Sequence, residues 1–232
     1  MMPSPTCFPR VLSAILAVAC LPAGIWAQSA PTRRDAGETI VMIRHGEKPD
    51  GGLGQLNCKG LNRALALPSL LIGRYGRPDF IYAPDPAERV NDLSEGLGYS
   101  YVRPLATIEP TAIQLGMPVN AQIGFKKIGD LEKALLQPSY AHALVFVAWE
   151  HKLMRDFAAR LLDTYGTGAA DLPAWHNSDY ETIYVFHVTR PDNGGKPRVT
   201  LDIQKEGLTG ALKDTCPASP SDPNAGGSKS TP

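Results

Sequence analysis

The chain contains few cysteines and few aromatic residues, and it has no excess of either charge. Its 232 residues include 23 basic side chains, 23 acidic side chains and four cysteines, and aromatic residues make up 7% of the chain. The charge balance argues against a nucleic-acid or membrane-surface partner, because such partners usually select a basic excess. The cysteines and histidines lack zinc-site spacing, so no metal is expected. The apolar fraction of 43% is ordinary for a globular protein, and the length suits one domain.

The chain also lacks an apolar run long enough for a transmembrane span. The early segment VLSAILAVACLPAGIWA is short for a span and ends in small residues, which is typical of a secretory signal peptide. We expect residues 1–27 to be this signal, with cleavage after Ala27, and residues 28–37 to be a linker. A retained anchor helix and a lipid on Cys20 are the alternatives. The sequence therefore predicts a periplasmic or secreted protein without a stable membrane anchor.

The rest of the composition outlines one folded domain with a tail. Residues 217–232 are rich in Pro, Gly and Ser and show no apolar periodicity, so they are expected to be disordered. The folded domain then spans residues 38–216. Cys58 and Cys216 remain after the expected cleavage, and in an oxidising compartment they could pair. Their pairing and the oligomeric state stay open.

Four continuous apolar runs predict strands that are buried on both faces of a sheet. They are TIVMI at 39–43, FIYA at 80–83, ALVFVAW at 143–149 and TIYVFHV at 182–188. A fifth run, RVTLDIQ at 198–204, alternates in polarity and follows a turn-rich segment. It predicts the return strand of a hairpin at the edge of the sheet.

Helical patterns separate these strands. The clearest is HKLMRDFAARLLDTYG, whose apolar residues recur at helical spacing up to a capping Gly166. Three further helical segments are KGLNRALALPSLLIGRYG, RPLATIEPTAIQLG and DLEKALL. The first two contain Pro68 and Pro110, and Pro68 is expected to kink or restart its helix. Strands alternating with helices predict an α/β fold with a mostly parallel sheet.

Polar side chains follow the predicted strands where these end. The residues RHGE (44–47) follow the first strand, and the residues EHK (150–152) follow the third. Arg103 opens the helix that comes after the second strand. Because ligands of an open α/β sheet bind outside the carboxyl ends of its strands, we expect these residues to meet at one edge.

The residue types at this edge predict a cationic pocket for an anion. Arg44 and Arg103 offer forked donors that match phosphate oxygens, and free N–H groups at the helix start after Glu150 are expected to add to them. His45 could attack phosphorus while the cations stabilise the transferring group. Gly46 leaves room for a turn and for close approach of a ligand. The pattern favours phosphoryl chemistry.

These residues, in this order, resemble the histidine phosphatase superfamily, also called phosphoglycerate-mutase-like. Its Arg-His-Gly signature appears at 44–46, and its later segments are echoed by LNCKGLNRA (56–64), RPLATIEP (103–110) and VFVAWEHK (145–152). The Trp-Glu-His motif before the last helix and the late segment WHNSDYETIYVF resemble a little-characterised subgroup. The resemblance covers most of residues 39–188. It implies a three-layer sandwich with a mostly parallel central sheet.

The resemblance also implies roles for the site residues. In that superfamily the first histidine is phosphorylated, and two arginines and the second histidine hold the phosphate. Carried over, His45 is the nucleophile, and Arg44, Arg103 and His151 form the phosphate pocket. The implied substrate is a small phosphorylated molecule, and neither a metal nor a cofactor is implied.

The general acid that protonates the leaving oxygen is less well marked. Glu150 is the first candidate and Glu47 the second, and either would need a pKa raised by burial. The alternative for Glu150 is a carboxylate that complements the helix dipole. Glu47 and Lys48 are also expected near the substrate, whereas Asp130 and Glu132 resemble a helix start and its exposed face.

The sequence thus predicts an exported phosphomonoesterase that works through a phosphohistidine on His45. Two alternatives remain: a phosphotransferase of the phosphoglycerate mutase type, and a non-catalytic binder of phosphate esters. The loop at 84–100 and the segment at 175–180 are expected to shape the choice of substrate.

Overall fold

The computed structural model describes residues 37–91, 98–191 and 194–218. The expected signal peptide, the linker up to residue 36 and the tail from residue 219 lie outside these ranges. Within the described residues, no helix has the combined length and apolarity needed to cross a bilayer.

The helices and strands follow the order that the sequence patterns predict. The strands are β1 (Glu38–Arg44), β2 (Phe80–Pro84), β3 (Arg89–Val90), β4 (Tyr99–Ser100), β5 (Asn120–Ile123), β6 (Leu144–Trp149), β7 (Thr182–Thr189) and β8 (Arg198–Lys205). The helices are α1 (Cys58–Tyr75), α2 (Arg103–Leu115), α3 (Ile128–Leu135) and α4 (His151–Tyr165), with a 3₁₀ turn at Pro138–Tyr140. The five predicted strands and four predicted helices are confirmed, whereas β3, β4 and β5 were not expected.

Six strands form the central sheet in the order β5-β2-β6-β1-β7-β8. Three pairs in this sheet are parallel. The strand β6 pairs with β1 on one side and with β2 on the other, and β2 pairs with β5. The strand β7 pairs antiparallel with β1, and β8 pairs antiparallel with β7. The expected hairpin at the edge of a mostly parallel sheet is therefore confirmed.

Apolar side chains cover both faces of this sheet. Successive side chains of a strand point to opposite faces, so Val41 and Ile43 enter one core while Ile40 and Met42 enter the other. The residues that pack from the helices are Leu67, Leu71, Ile108 and Ala112 of α1 and α2 in the first core, and Leu131, Met154, Phe157 and Leu161 of α3 and α4 in the second. The predicted three-layer sandwich is confirmed.

The helix α1 runs through Pro68 without restarting, in contrast to the expected interruption. Pro68, Leu67 and Leu71 are all buried, so packing against the sheet holds the helix on both sides of the proline. The first residue of α1, Cys58, forms a disulfide with Cys216, which is 158 residues away in sequence. The pairing left open by the sequence is therefore present.

The register of β1 and β6 brings the two polar strand ends together. Arg44, the last residue of β1, is aligned with Trp149, the last residue of β6. The N–H of His45 then donates to the carbonyl oxygen of Trp149 over 3.0 Å. The residues that follow the two strands consequently share one edge of the sheet, as predicted.

Candidate active site

His45 is buried and oriented by its own backbone. Its Nδ1 lies 2.7 Å from the carbonyl oxygen of Gly46, and its side chain is among the least exposed polar groups, at 3%. A carbonyl oxygen only accepts hydrogen bonds, so the ring proton resides on Nδ1. The lone pair of Nε2 is then available for attack on an electrophile.

Gly46 and Thr107 connect the end of β1 to the helices. The N–H of Gly46 donates to Oγ1 of Thr107 over 2.9 Å, and that hydroxyl donates to the carbonyl oxygen of Arg103 over 2.8 Å. A Cβ on Gly46 would lie 2.9 Å from the carbonyl oxygen of Gly60 in α1. The small residue is thus required by helix packing, whereas the sequence suggested close approach of a ligand.

Arg44 is tied to the segment that precedes β7. Its Nη1 donates to the carbonyl oxygens of Asn177 and Asp179, over 2.7 and 2.8 Å. Its guanidinium carbon lies 3.8 Å from the ring centroid of Tyr180, a cation–π contact. The buried Nε has no hydrogen-bond partner among the described residues, so it can donate to an oxyanion.

Two tyrosines bring the two arginines to the His45 ring. The ring centroids of Tyr101 and Tyr180 lie 6.0 and 6.2 Å from that of His45. The guanidinium carbon of Arg103 lies 4.8 Å from the centroid of Tyr101, just as Arg44 lies over Tyr180. The structure therefore brings Arg44 and Arg103 together around His45 through shared aromatic neighbours.

His151, the first residue of α4, joins this group through Asn177. The Oδ1 atom of Asn177 lies 2.9 Å from Nε2 of His151, while the backbone of Asn177 binds Arg44. On the other side of the ring, Nδ1 lies 2.8 Å from Oε1 of Glu150. His151 is 5% exposed, so these contacts fix its orientation at the carboxyl end of β6.

Burial and the neighbouring cations keep the His45 imidazole neutral. Burial is the main cause that lowers its pKa to about 3, and the charge of Arg103 adds to it. The hydrogen bond to Gly46 acts in the opposite direction, and Arg44 lowers the pKa further. At neutral pH the ring is consequently unprotonated on Nε2, which is the state that a nucleophile needs.

Glu150 acts as the N-cap of α4. Its Oε2 accepts the N–H of Leu153 over 2.9 Å. Burial alone would raise the pKa of Glu150, but the hydrogen bonds from His151 and from Leu153 outweigh it, and the pKa falls to about 2. A strongly ionised carboxylate holds no proton to donate, which argues against the expected general-acid role. The cap also occupies a helix N–H that the sequence assigned to the anion.

Glu47 is bound by a buried arginine of α1. Arg63 is fully buried and donates to both carboxylate oxygens of Glu47, over 2.9 and 2.7 Å. It also donates to Glu181 over 2.9 Å and contacts Glu206. This arrangement argues against Glu47 as a substrate contact or acid.

The other expected residues lie as follows. The carbonyl oxygen of Lys48 accepts a hydrogen bond from Asn57, and the role of Lys48 as a substrate contact stays a prediction. Asp130 pairs with exposed Lys133 over 3.2 Å, and Glu132 pairs with Arg160 over 2.9 Å. Among the residues that the structure describes, no cluster of His, Cys, Asp or Glu could hold a metal ion.

Four residues of this region were not identified from the sequence. They are Arg63, Tyr101, Asn177 and Tyr180. The signal for Arg63 is its helical spacing from Leu67 and Leu71, which puts a cation on the buried face of the helix. The segment that holds Asn177 and Tyr180 is expected from the sequence only to shape the choice of substrate. Their roles depend on contacts between residues distant in sequence.

Comparisons place the chain beside enzymes of known name. No family model and no curated protein matches it. Among solved structures, a mycobacterial glucosyl-3-phosphoglycerate phosphatase with inorganic phosphate is 17% identical, with a TM-score of 0.48, over 71% of this chain and 95% of that chain. A phosphoglycerate mutase from Plasmodium falciparum is 17% identical, with a TM-score of 0.42, over 72% and 89% of the two chains. A phosphoserine phosphatase variant from Entamoeba histolytica, in complex with phosphoserine, is 13% identical, with a TM-score of 0.40, over 75% and 99%.

Proposed function

We propose that this chain is an exported phosphomonoesterase of the histidine phosphatase superfamily. The observation that carries the proposal is the state of His45, a buried neutral imidazole whose Nδ1 proton is held by Gly46 and which stands between two arginines. Such a ring can attack phosphorus, and the paired guanidinium groups suit the charge of a phosphoryl group.

The reaction proceeds in two displacements at phosphorus. Nε2 of His45 attacks, the bond from phosphorus to the ester oxygen breaks, and the leaving group departs with the bonding electrons as an alkoxide or phenolate. Arg44 and Arg103 stabilise the charge on the transferring group. Water then attacks the phosphohistidine, and the phosphorus–nitrogen bond breaks with its electrons returning to Nε2 of His45. One proton of the water passes through solvent to the departed alkoxide or phenolate, the other stays on the phosphate, and inorganic phosphate leaves with the neutral imidazole restored.

The carboxyl groups of the described residues favour esters with good leaving groups. Glu38 and Glu206 have a carboxyl pKa that is raised, in both cases to about 7. Glu38 begins β1, roughly 20 Å along the strand from His45, and Glu206 contacts Arg63. Glu150 is ionised. We infer that leaving groups which depart without protonation, such as phenolates, are turned over best.

The disulfide supports export. Disulfides persist in oxidising compartments and are rare in the cytosol, and Cys58 and Cys216 are bonded in this fold. The proposal joins this observation to the signal-like leader in the sequence.

The proposal is tested by replacing His45 in the mature chain. The variant His45→Ala should release no phosphate from p-nitrophenyl phosphate above the uncatalysed rate, whereas His142→Ala, which alters an exposed histidine before the start of β6, should retain full activity. Turnover by His45→Ala at the wild-type rate would exclude His45 as the nucleophile. A panel of phosphate esters then ranks the substrates.

A further inference from the structure

Leu53 has a backbone conformation that ordinarily belongs to glycine. Its φ is 50°, and among the residues that the structure describes it is the only non-glycine residue with a positive φ. Its neighbours Gly52 and Gly54 have φ values of 73° and 67°, so the turn is built from left-handed residues. A leucine at this position is strained, because its Cβ crowds the backbone.

The Leu53 side chain does not offset this strain by packing in the core. It is 47% exposed, and it belongs to neither apolar core. A glycine would form the same turn without strain, and an asparagine would form it with less. A strained apolar side chain that faces solvent points to a contact outside the fold.

The turn that carries Leu53 is attached to the phosphate pocket. Nη1 of Arg103 donates to the carbonyl oxygen of Gly52 over 3.1 Å. The backbone N–H of Arg103 donates to the carbonyl oxygen of Gly54 over 3.0 Å. A Cβ on Gly54 would collide with the carbonyl oxygen of Ser100, so the turn packs directly on β4. Leu53 is therefore held beside the arginine that binds phosphate.

A second exposed apolar residue lies at the same place. Tyr99, in β4, is 39% exposed, and its Cβ would lie 3.3 Å from a Cβ on Gly54. Both residues thus adjoin Gly54, Leu53 as its neighbour in the chain and Tyr99 by packing against it. We call these two side chains the apolar rim.

We propose that the apolar rim binds the leaving group of the substrate, and that this group is aromatic or otherwise apolar. The inference rests on the proposed phosphatase function, because the phosphate must occupy the cationic pocket for the rest of the ester to reach the rim. Burial of apolar surface against Leu53 and Tyr99 stabilises an aryl group but gives little to a polyhydroxyl group. The inferred substrate class also agrees with the ionised state of Glu150.

The test compares 1-naphthyl phosphate with phenyl phosphate, whose leaving groups are similarly acidic but differ in apolar area. For the wild-type chain, KM should be about tenfold lower for the naphthyl ester. The variants Leu53→Asn and Leu53→Gly, which suit the left-handed backbone, should lower this ratio to about threefold, because Tyr99 still offers apolar surface to the naphthyl group. Their inhibition constant for inorganic phosphate should stay within about twofold of wild type. Leu65→Gln, which alters another exposed leucine, is the matched control.

The outcomes separate the rim from the phosphatase proposal. Equal KM values for the two esters in the wild-type chain, or a ratio that both Leu53 variants keep, would overturn the rim. If the wild-type chain hydrolyses neither ester, the proposed function fails, and calorimetric binding of 1-naphthyl phosphate still tests the rim. If Leu53→Asn binds 1-naphthyl phosphate more weakly than wild type, the proposal of the rim is supported. If the two chains bind it equally well, the proposal is overturned.

Discussion

The carbonyl oxygen of Gly46 lies 2.7 Å from Nδ1 of His45, so one residue fixes the tautomer of its neighbour in the sequence. The N–H of the same glycine is held by Thr107, which in turn binds the backbone of Arg103. The orientation of the imidazole and the start of α2 are therefore coupled through three hydrogen bonds. The Arg-His-Gly sequence places the proposed nucleophile, its orienting acceptor and the cation proposed to bind phosphate in three successive residues.

Arg103 should not be replaceable by lysine. The variant Arg103→Lys keeps the charge but loses the planar fork that can bind two phosphate oxygens at once. We expect the inhibition constant for inorganic phosphate to rise by about 10- to 100-fold, since hydrogen bonds to charged groups are worth about 1.5–3 kcal/mol. Arg198→Lys, on the exposed edge strand, should change nothing in the same assay. An unchanged inhibition constant for Arg103→Lys would place the phosphate elsewhere.

Glu150 should prove to be a positioning residue. Its pKa falls to about 2, because hydrogen bonds from His151 and Leu153 outweigh burial, so it is ionised throughout the physiological range. We expect Glu150→Gln to keep turnover of an alkyl phosphate, whose leaving group does need a proton, within about tenfold of wild type, since loss of a general acid typically costs 10²–10⁴-fold. Between pH 4 and 9, the decline of kcat/KM at high pH should be the same in Glu150→Gln as in wild type. A loss of activity of about 10²–10⁴-fold, together with a change in that decline, would show that Glu150 is the general acid.

Glu206 should make the folded state less stable as the pH rises. Burial raises its pKa from 4.5 to about 7, although Arg63 opposes the shift. The folded chain keeps the proton that the unfolded chain loses near pH 4.5, so this contribution to stability is complete below 4.5 and disappears as the pH rises through 7. In Glu206→Gln, the free energy of unfolding in urea should fall less between pH 5 and 8. Glu38 shifts in the same direction, so the variant removes only part of the fall. Asp130→Asn is the control and should show the same fall as wild type. If Glu206→Gln also showed the same fall as wild type, the expectation would be contradicted.

The disulfide should stabilise the chain substantially. Cys58 and Cys216 close a loop of 158 residues, and a cross-link of this kind usually contributes about 2–4 kcal/mol. Reduction of the wild-type chain should lower the midpoint of urea denaturation to that of the double variant Cys58→Ser/Cys216→Ser. The same reductant should leave the double variant unchanged. A wild-type midpoint that is insensitive to reduction would show that the bond contributes little.

The main features of the fold followed from local patterns. The continuous apolar run of β1 identifies a strand that is buried on both faces, and the 3.6-residue spacing of apolar side chains in α4 identifies a helix with one buried face. The strand β5, Asn120–Ile123, was missed because it is short and only partly buried. The strands β3 and β4 contain two residues each, which is too short for any periodicity in the sequence to reveal them.

The candidate site was predictable where residues are adjacent and not where contacts are distant. Arg44 and His45 are marked by their position at the end of β1. The contacts of Arg63 could not be predicted from the sequence, because its partners Glu47 and Glu206 lie 16 and 143 residues away. The low pKa of Glu150 depends on a hydrogen bond from His151 that only the structure shows.

The central claim is a phosphoryl group carried by Nε2 of His45. It is tested most directly by rapid acid-free quenching of the wild-type chain during turnover of an aryl phosphate, followed by mass spectrometry of the peptide that contains His45. The account predicts one added phosphoryl group on this histidine, stable to alkali and lost in acid, and none in the His45→Ala chain. A phosphoryl group on another residue, or steady release of phosphate by His45→Ala, would contradict it.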